Sequence, residues 1–322
     1  LLLRADTALG GGDGKAALLA LGEALVASSV DDGFTPIVTR ILDVHKQAPG
    51  EVETAVSLLA RAEERFGAKR EIVEARALVH ESAGHHEAAF AALQRLAAIL
   101  PDDTAKAVVW EKMGDIARAH LGQPQQALIQ YQAAFKADRK NRTAVRKAAK
   151  IYLEQSREEQ AKQLVDLEAE QFEENGGADP AQKKELAELY IKIGEALLVR
   201  PSAHAIAKDA VERASKLAPD IARARTLKGE LEAFPTTWKD HVRRLRDAAL
   251  DARDKRDAAK RYLAIAQVYA AYAPKDPQIE QNVEKCLLLS PGYRPALKFL
   301  EGLYREEGKL GDFIERLKKQ AE

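Results

Sequence analysis

The sequence predicts an all-α solenoid built from stacked helix–turn–helix pairs, on three observations. Aromatic, small and apolar residues recur in one order at intervals of about 34 residues, a period that marks stacked repeats. Inside each interval the apolar positions are spaced by three and four, the helical period. Hydrophobic residues make up 46% of the 322 residues and charged residues 31%, and no apolar run is long enough to span a bilayer. Length alone would suggest about two domains, but a repeat array grows by adding layers around one continuous core. The expected organisation is therefore a single solenoid over 1–322.

In chain order, residues 15–66 are divergent N-terminal helices that extend the period without its small-residue signature, with Phe34 to Phe66 as a helix pair. Repeats proper run over 69–176. Gly84, Ala89, Leu93, Leu96, Ile99 and Pro101 give a clear second helix, with His80 at the aromatic site of the first. The best-formed unit spans Ala107 to Asn141. Trp110, Met113, Gly114 and Ala117 share one helical face, Leu121-Gly122-Gln123-Pro124 breaks the period, and Ala127, Tyr131 and Ala134 restart it. Val145, Ala148, Ala149, Tyr152, Ala161 and Val165 follow at the same offsets.

Glu170 to Gly177 closes a long helix, with Asn175 and Gly176 suited to a left-handed cap. Asp179 then supplies an N-cap and Pro180 a first helical residue, which makes 177–185 a joint. Repeats resume over 186–321. Tyr190, Ile193, Gly194, Ala207, Val211, Ala214, Leu217 and Pro219 form one copy. The stretch 221–251 is degenerate, keeping Leu227, Leu231, Trp238, Val242, Leu245 and Ala248. The mixed-charge run from Asp247 to Asp257 reads as a second joint or a solvated face. Tyr262, Ile265, Ala266, Tyr269, Val283, Cys286, Leu287 and Pro291 form the next copy. Leu297, Leu300, Tyr304, Gly308, Phe313 and Leu317 begin a last, truncated unit.

The offsets at Trp110, Met113, Gly114, Ala117, Ala127 and Tyr131 resemble the tetratricopeptide repeat, W-x₂-L-G-x₂-Y followed by A-x₃-F and P. Met113 stands at the Leu site, Ala117 at the Tyr site and Arg139 at the closing Pro site. The resemblance covers residues 69–321 and implies a right-handed superhelix. Small residues at Gly114, Gly194, Ala266, Ala127, Ala207 and Ala161 let helices approach, while Trp110, Tyr131, Tyr190 and Tyr269 fill the space between layers. These aromatics read as core rather than as a cofactor box. The Ala- and Arg-rich units are similar to those of large bacterial scaffold proteins of envelope or motility machines. A start without Met and an end inside a helix suggest a fragment of a longer chain, and a cytoplasmic location is the expectation.

Fifty basic and fifty acidic residues leave no net charge, which argues against a nucleic-acid binder. One cysteine, Cys286, excludes an intramolecular disulfide framework and a multi-cysteine metal site, and its packing position reads as a buried thiol. Gly10 to Lys15 resembles a phosphate loop, but Leu9 and Ala16 stand where Gly and a hydroxyl are needed. Adjacent His85 and His86 lack the spacing of helical metal ligands and read as exposed turn residues. His80, His120, His204 and His241 have no sequence-linked acid or nucleophile. No catalytic residue, cofactor or metal is expected.

The resemblance implies that the first helix of each pair lines an inner groove and binds peptide. Glu111, Asp115 and Arg118 take the groove positions in the Trp110 unit. Glu71, Glu74 and Glu81 precede them; Arg146, Lys147 and Lys150 follow, and farther along come Arg225, Lys298 and Arg305. The groove is thus acidic early and basic near 142–150, a split that would orient a ligand. The Asn residues of the clamp that holds chaperone C-termini are missing from this register, which argues against that role. The expected function is a protein–protein interaction scaffold that takes a peptide or small folded protein, with no direct membrane insertion. The alternatives are a structural spacer that self-associates through its ends, and the regulatory region of a larger enzyme.

Overall fold

A computed structural model describes residues 1–28, 33–174 and 179–306, together with 308, 311 and 315. Among these residues the regular structure consists of α-helices with two short 3₁₀ turns, and there is no strand. The helices are α1 (Leu2–Gly10), α2 (Gly14–Ala27), α3 (Phe34–Gln47), α4 (Val52–Phe66), α5 (Arg70–Ser82), α6 (His86–Ile99), α7 (Asp103–Ala119) and α8 (Pro124–Ala137). They continue as α9 (Arg142–Glu154), α10 (Glu158–Glu174), α11 (Pro180–Leu198), α12 (His204–Leu217), α13 (Ala222–Leu250), α14 (Lys255–Tyr272), α15 (Gln278–Leu289) and α16 (Arg294–Glu306). Contacts divide the chain into two units, Leu1–Ile151 and Tyr152–Glu322.

Local signals set the helix starts. Asp102 accepts the Ala105 amide at 2.8 Å and opens α7, and Pro124 begins α8. Asp179 accepts the Ala181 amide at 2.9 Å ahead of Pro180, as the sequence predicts for the start of α11. The expected left-handed cap at Asn175 and Gly176 lies outside the described residues, as do Phe313 and Leu317. The glycine run before Lys15 is a helix connection: Asp13 accepts the Ala16 amide at 2.8 Å and caps α2. Gly14 packs so tightly that a Cβ there would stand 2.4 Å from the Ala48 methyl.

In unit 1 the pairs α1·α2, α3·α4, α5·α6 and α7·α8 pack within themselves and against their neighbours. Two apolar clusters hold them. One is centred on Leu18, Leu21, Ile41 and Leu59, the other on Leu93, Leu96, Met113 and Ile116. Small residues set the closest approaches. A Cβ on Gly114 would lie 2.4 Å from Tyr131 Cε1, and Tyr131 is itself fully buried. Unit 2 repeats the device, since a Cβ on Gly194 would lie 2.8 Å from Val211 Cγ2. Ala127, Ala161, Ala207 and Ala266 are completely buried, as their repeat positions predict.

Gly114→Ala is expected to lower stability by about 2 kcal/mol, because overpacking against an enclosed ring outweighs the gain in helix propensity. Gly229, on α13, faces open space. Gly229→Ala is expected to raise stability by about 1 kcal/mol from propensity alone. Urea unfolding of the two variants checks the opposite signs.

Within residues 221–251, expected as a degenerate repeat, Ala222–Leu250 form one uninterrupted helix, α13, of 29 residues. The stretch lacks a Gly-Pro turn, and its lone proline, Pro235, sits inside the helix. Pro235 has no amide hydrogen, and nearby the hydroxyls of Thr236 and Thr237 donate to the Ala233 carbonyl at 2.9 and 3.1 Å. Helix α13 packs on α11, α12 and α14, while α14 pairs with α15. Phe234, fully buried, joins these layers: the His204 ring meets it edge-on at 4.7 Å, and His241 stacks on it at 4.5 Å.

Histidine placement departs from the expectation of exposed turns. His85 is exposed, but His86 is half-buried and stacks on His120 at 3.8 Å between ring centroids. Burial holds His45, His80, His204 and His241 below the ordinary histidine range. Arg76 and Arg244 push His80 and His241 further in the same direction. As pH falls, the unfolded chain takes up these protons first, so their contribution is present above about pH 6.5 and lost below it. The urea midpoint should therefore drop between pH 7 and 5, above the carboxylate range. An unchanged midpoint would contradict this reading.

Candidate functional site

The expected groove residues sit on the first helices of successive pairs, and four of them, Glu81, Glu111, Asp115 and Lys147, are held in ion pairs between those helices. Lys147, on α9, donates to Glu111 Oε1 at 2.8 Å and to Asp115 Oδ2 at 2.7 Å, both on α7. Asp115 also accepts the Tyr131 hydroxyl at 2.8 Å. Burial opposes the Lys147 charge, but the Asp115 and Glu111 bonds outweigh it and hold the ammonium above the ordinary lysine range. The Tyr131 phenol is driven upward by burial and by Asp115, so it stays a donor. The acidic and basic ends of the predicted groove are thus, at this point, each other's partners.

The same link recurs along unit 1. Arg40, on α3, forms a two-pronged pair with Asp6, on α1, at 2.7 and 3.0 Å. Lys112, on α7, reaches Glu81, on α5, at 2.5 Å. In unit 2, Arg223, on α13, reaches Glu195, on α11, at 2.6 Å and also holds Glu230 of its own helix at 2.7 Å. Each link joins first helices of neighbouring layers over 28–36 residues of chain. A related network joins Tyr190, which donates to Asp166 at 2.7 Å, with Lys162 between Asp166 at 2.8 Å and Asp209 at 2.5 Å. Sequence reading missed these pairs. Opposite charges at matching register positions one period apart were the available signal.

Other expected residues divide by exposure. Glu74 is half-buried and pairs with Arg70 at 3.5 Å, one turn away. Arg118 and Arg146 are half-buried, and Arg305 pairs with Glu301 at 2.7 Å. Lys150, Arg225 and Lys298 are exposed and have no ion pair among the described residues, and Glu71 is likewise exposed and unpaired.

Among the described residues no three His, Cys, Asp or Glu side chains converge as metal ligands. Cys286 is fully buried, and burial pushes its thiol up to about 12, away from the reactive thiolate. No described helix is long and apolar enough to cross a membrane.

No protein-family model and no curated sequence matches the chain. Solved structures do match. The C-terminal part of a TPR repeat-containing protein from Cytophaga hutchinsonii is 18% identical, covering 80% of this chain and 98% of its own at a TM-score of 0.41. A tetratricopeptide repeat protein from Parabacteroides merdae is 14% identical, covering 89% and 97% at 0.39. YrrB, described as a TPR protein with an unusual peptide-binding site, is 16% identical, covering 65% and 98% at 0.41. At these values the likeness says nothing about ligand or partner. The helix pairs are tetratricopeptide-like. In the tetratricopeptide pattern, Gly114 and Tyr131 are the small and large halves of one seam, and the pairs through Lys147 and Lys112 tie successive units along their first helices.

Proposed function

We propose that the chain is a protein–protein interaction scaffold that holds an extended peptide or small folded protein against its first helices, within a larger assembly. The observation that carries this reading is the contrast among surface charges. Glu81, Glu111, Asp115, Lys112 and Lys147 are neutralised internally, whereas Lys150, Arg225 and Lys298 stay exposed without a counter-charge among the described residues. Exposed unpaired cations on helices suit an acidic partner segment, and within unit 1 Glu71 and Lys150 keep the sign change that would orient it. Lys147 belongs to the framework in this reading, because removing it would strand two carboxylates.

Peptide display against the immobilised chain tests the proposal. Selected peptides should carry an acidic segment, and Lys150→Glu or Arg225→Glu should weaken them by about tenfold, the scale of one charge-assisted contact. Selection of uncharged peptides, or binding indifferent to both reversals, would sink it. A second reading, self-association, draws on one feature: Leu3 and Leu19, on α1 and α2, are 79% and 61% exposed, with Val26 at 56%. Sedimentation of the chain and of Leu3→Lys/Leu19→Lys over a concentration series decides it, since a strict monomer in both leaves no self-association.

A further inference from the structure

One cavity of unit 2 has polar walls that neither the inter-helix ion pairs nor the proposed groove uses. It is a half-open cleft of about 370 Å³, within the size range of small-molecule sites. Its lining comes from α10, α11, α13 and α14 and from the turn entering α16. Two of its cations are matched: Arg200 pairs with the buried carboxylate of Glu158, and Arg261 pairs with Asp257 at 2.7 Å. Lys260 lines the same space with no ion pair or hydrogen bond among the described residues. The charge balance of the lining is therefore one positive charge.

The neutral polar groups are unused as well. Gln267 and the hydroxyls of Ser156 and Tyr293 have no hydrogen-bond partner among the described residues. Burial raises the Tyr293 phenol, which keeps it protonated and able to donate. Val199, Leu245, Leu263 and Ala264 form an apolar wall beside them. A single uncompensated ammonium, three neutral polar groups and a hydrocarbon wall specify a ligand with one negative charge and an apolar body. Two-charge anions would leave a charge unmatched, and a bare anion would leave the wall wet.

We propose that this cavity binds a small organic acid, its carboxylate held by Lys260 with help from Tyr293 or Gln267 and its hydrocarbon part against Leu245 and Leu263. The site is separate from the exposed cations of the peptide-binding reading, so either can fail alone.

Calorimetric titration of the full chain with 3-phenylpropanoate and hexanoate tests it, with 3-phenylpropanamide, acetate and inorganic phosphate as comparisons. At least one of the two long acids should bind saturably, and the amide, acetate and phosphate should each bind at least about tenfold more weakly, the worth of one charged contact or a few buried methylenes. Lys260→Gln should weaken the acid by about tenfold with an unchanged melting temperature. Leu245→Trp, which fills the space, should abolish binding and leave Lys260 in place. Equal affinity for acid and amide, indifference to Lys260→Gln, or no saturation by either acid below about 10 mM would overturn the proposal.

Discussion

Phe234→Ala is expected to remove about 4 kcal/mol from the stability of unit 2, the upper range for deleting a buried aromatic ring. Phe234 has no exposed surface and touches three helices: His204 of α12 edge-on, His241 of its own helix by stacking, and Tyr272 of α14 at 5.8 Å. Its position next to Pro235 matters. The proline removes a backbone hydrogen bond from a helix that packs as a single layer, so side-chain packing must carry what the ladder does not. A methyl in place of the ring leaves a cavity bounded by two histidines held neutral by burial, and water entering it would restore their ordinary titration. Amide hydrogen exchange resolved to α12–α14 measures the loss without assuming that both units unfold together. Nitrogen chemical shifts of His241 against pH should show its midpoint rising. A loss below about 1 kcal/mol would mean that the layer is held elsewhere.

Glu63→Gln is expected to cost about 3 kcal/mol, the low end for breaking a buried ion pair. Glu63, on α4, is 8% exposed and lies between Arg76 of α5 and Arg95 of α6, with an ion pair to each. Glutamine preserves the shape and removes the charge, leaving two guanidiniums around a neutral amide. Arg95 is half-exposed and recovers water, which limits the penalty; Arg76 is mostly buried, and its Nε already has no hydrogen-bond partner. A double-mutant cycle with Arg76→Met separates attraction from packing. Once Glu63 is gone the second change should cost little or help, giving a coupling of at least about 1 kcal/mol. Additive losses would show that the carboxylate serves only as volume.

Helix positions and seams were legible before any coordinates, because they depend on neighbours in sequence. Asp179 and Pro180 start a helix through a local bond and a fixed backbone angle, and Gly114, Gly194 and Ala207 are small because the repeat brings a helix against them. Residues 221–251 were harder. Leu227, Leu231 and Val242 keep helical spacing whether the stretch is one helix or two, and the missing turn is a weak signal when Pro235 stands inside. The charges expected to line a groove lie on α5, α7, α9, α13 and α16, and their partners were not foreseen. Glu111 and Lys147 look like opposite ends of a ligand surface until the layers are stacked.

By itself the sequence determined an all-α chain of stacked pairs and the residues that keep the layers close. Those properties follow from period, propensity and turn chemistry, which act within one repeat and its neighbour. Only the tertiary structure decided which charges are spent and which are left over. Long side chains choose partners through the last few ångströms, and an offset of about one repeat is compatible with meeting or missing. It also decided the cavity beside Lys260, whose walls come from residues as far apart as Ser156 and Pro295. A cleft between helices is a property of packed layers, and no single repeat contains it.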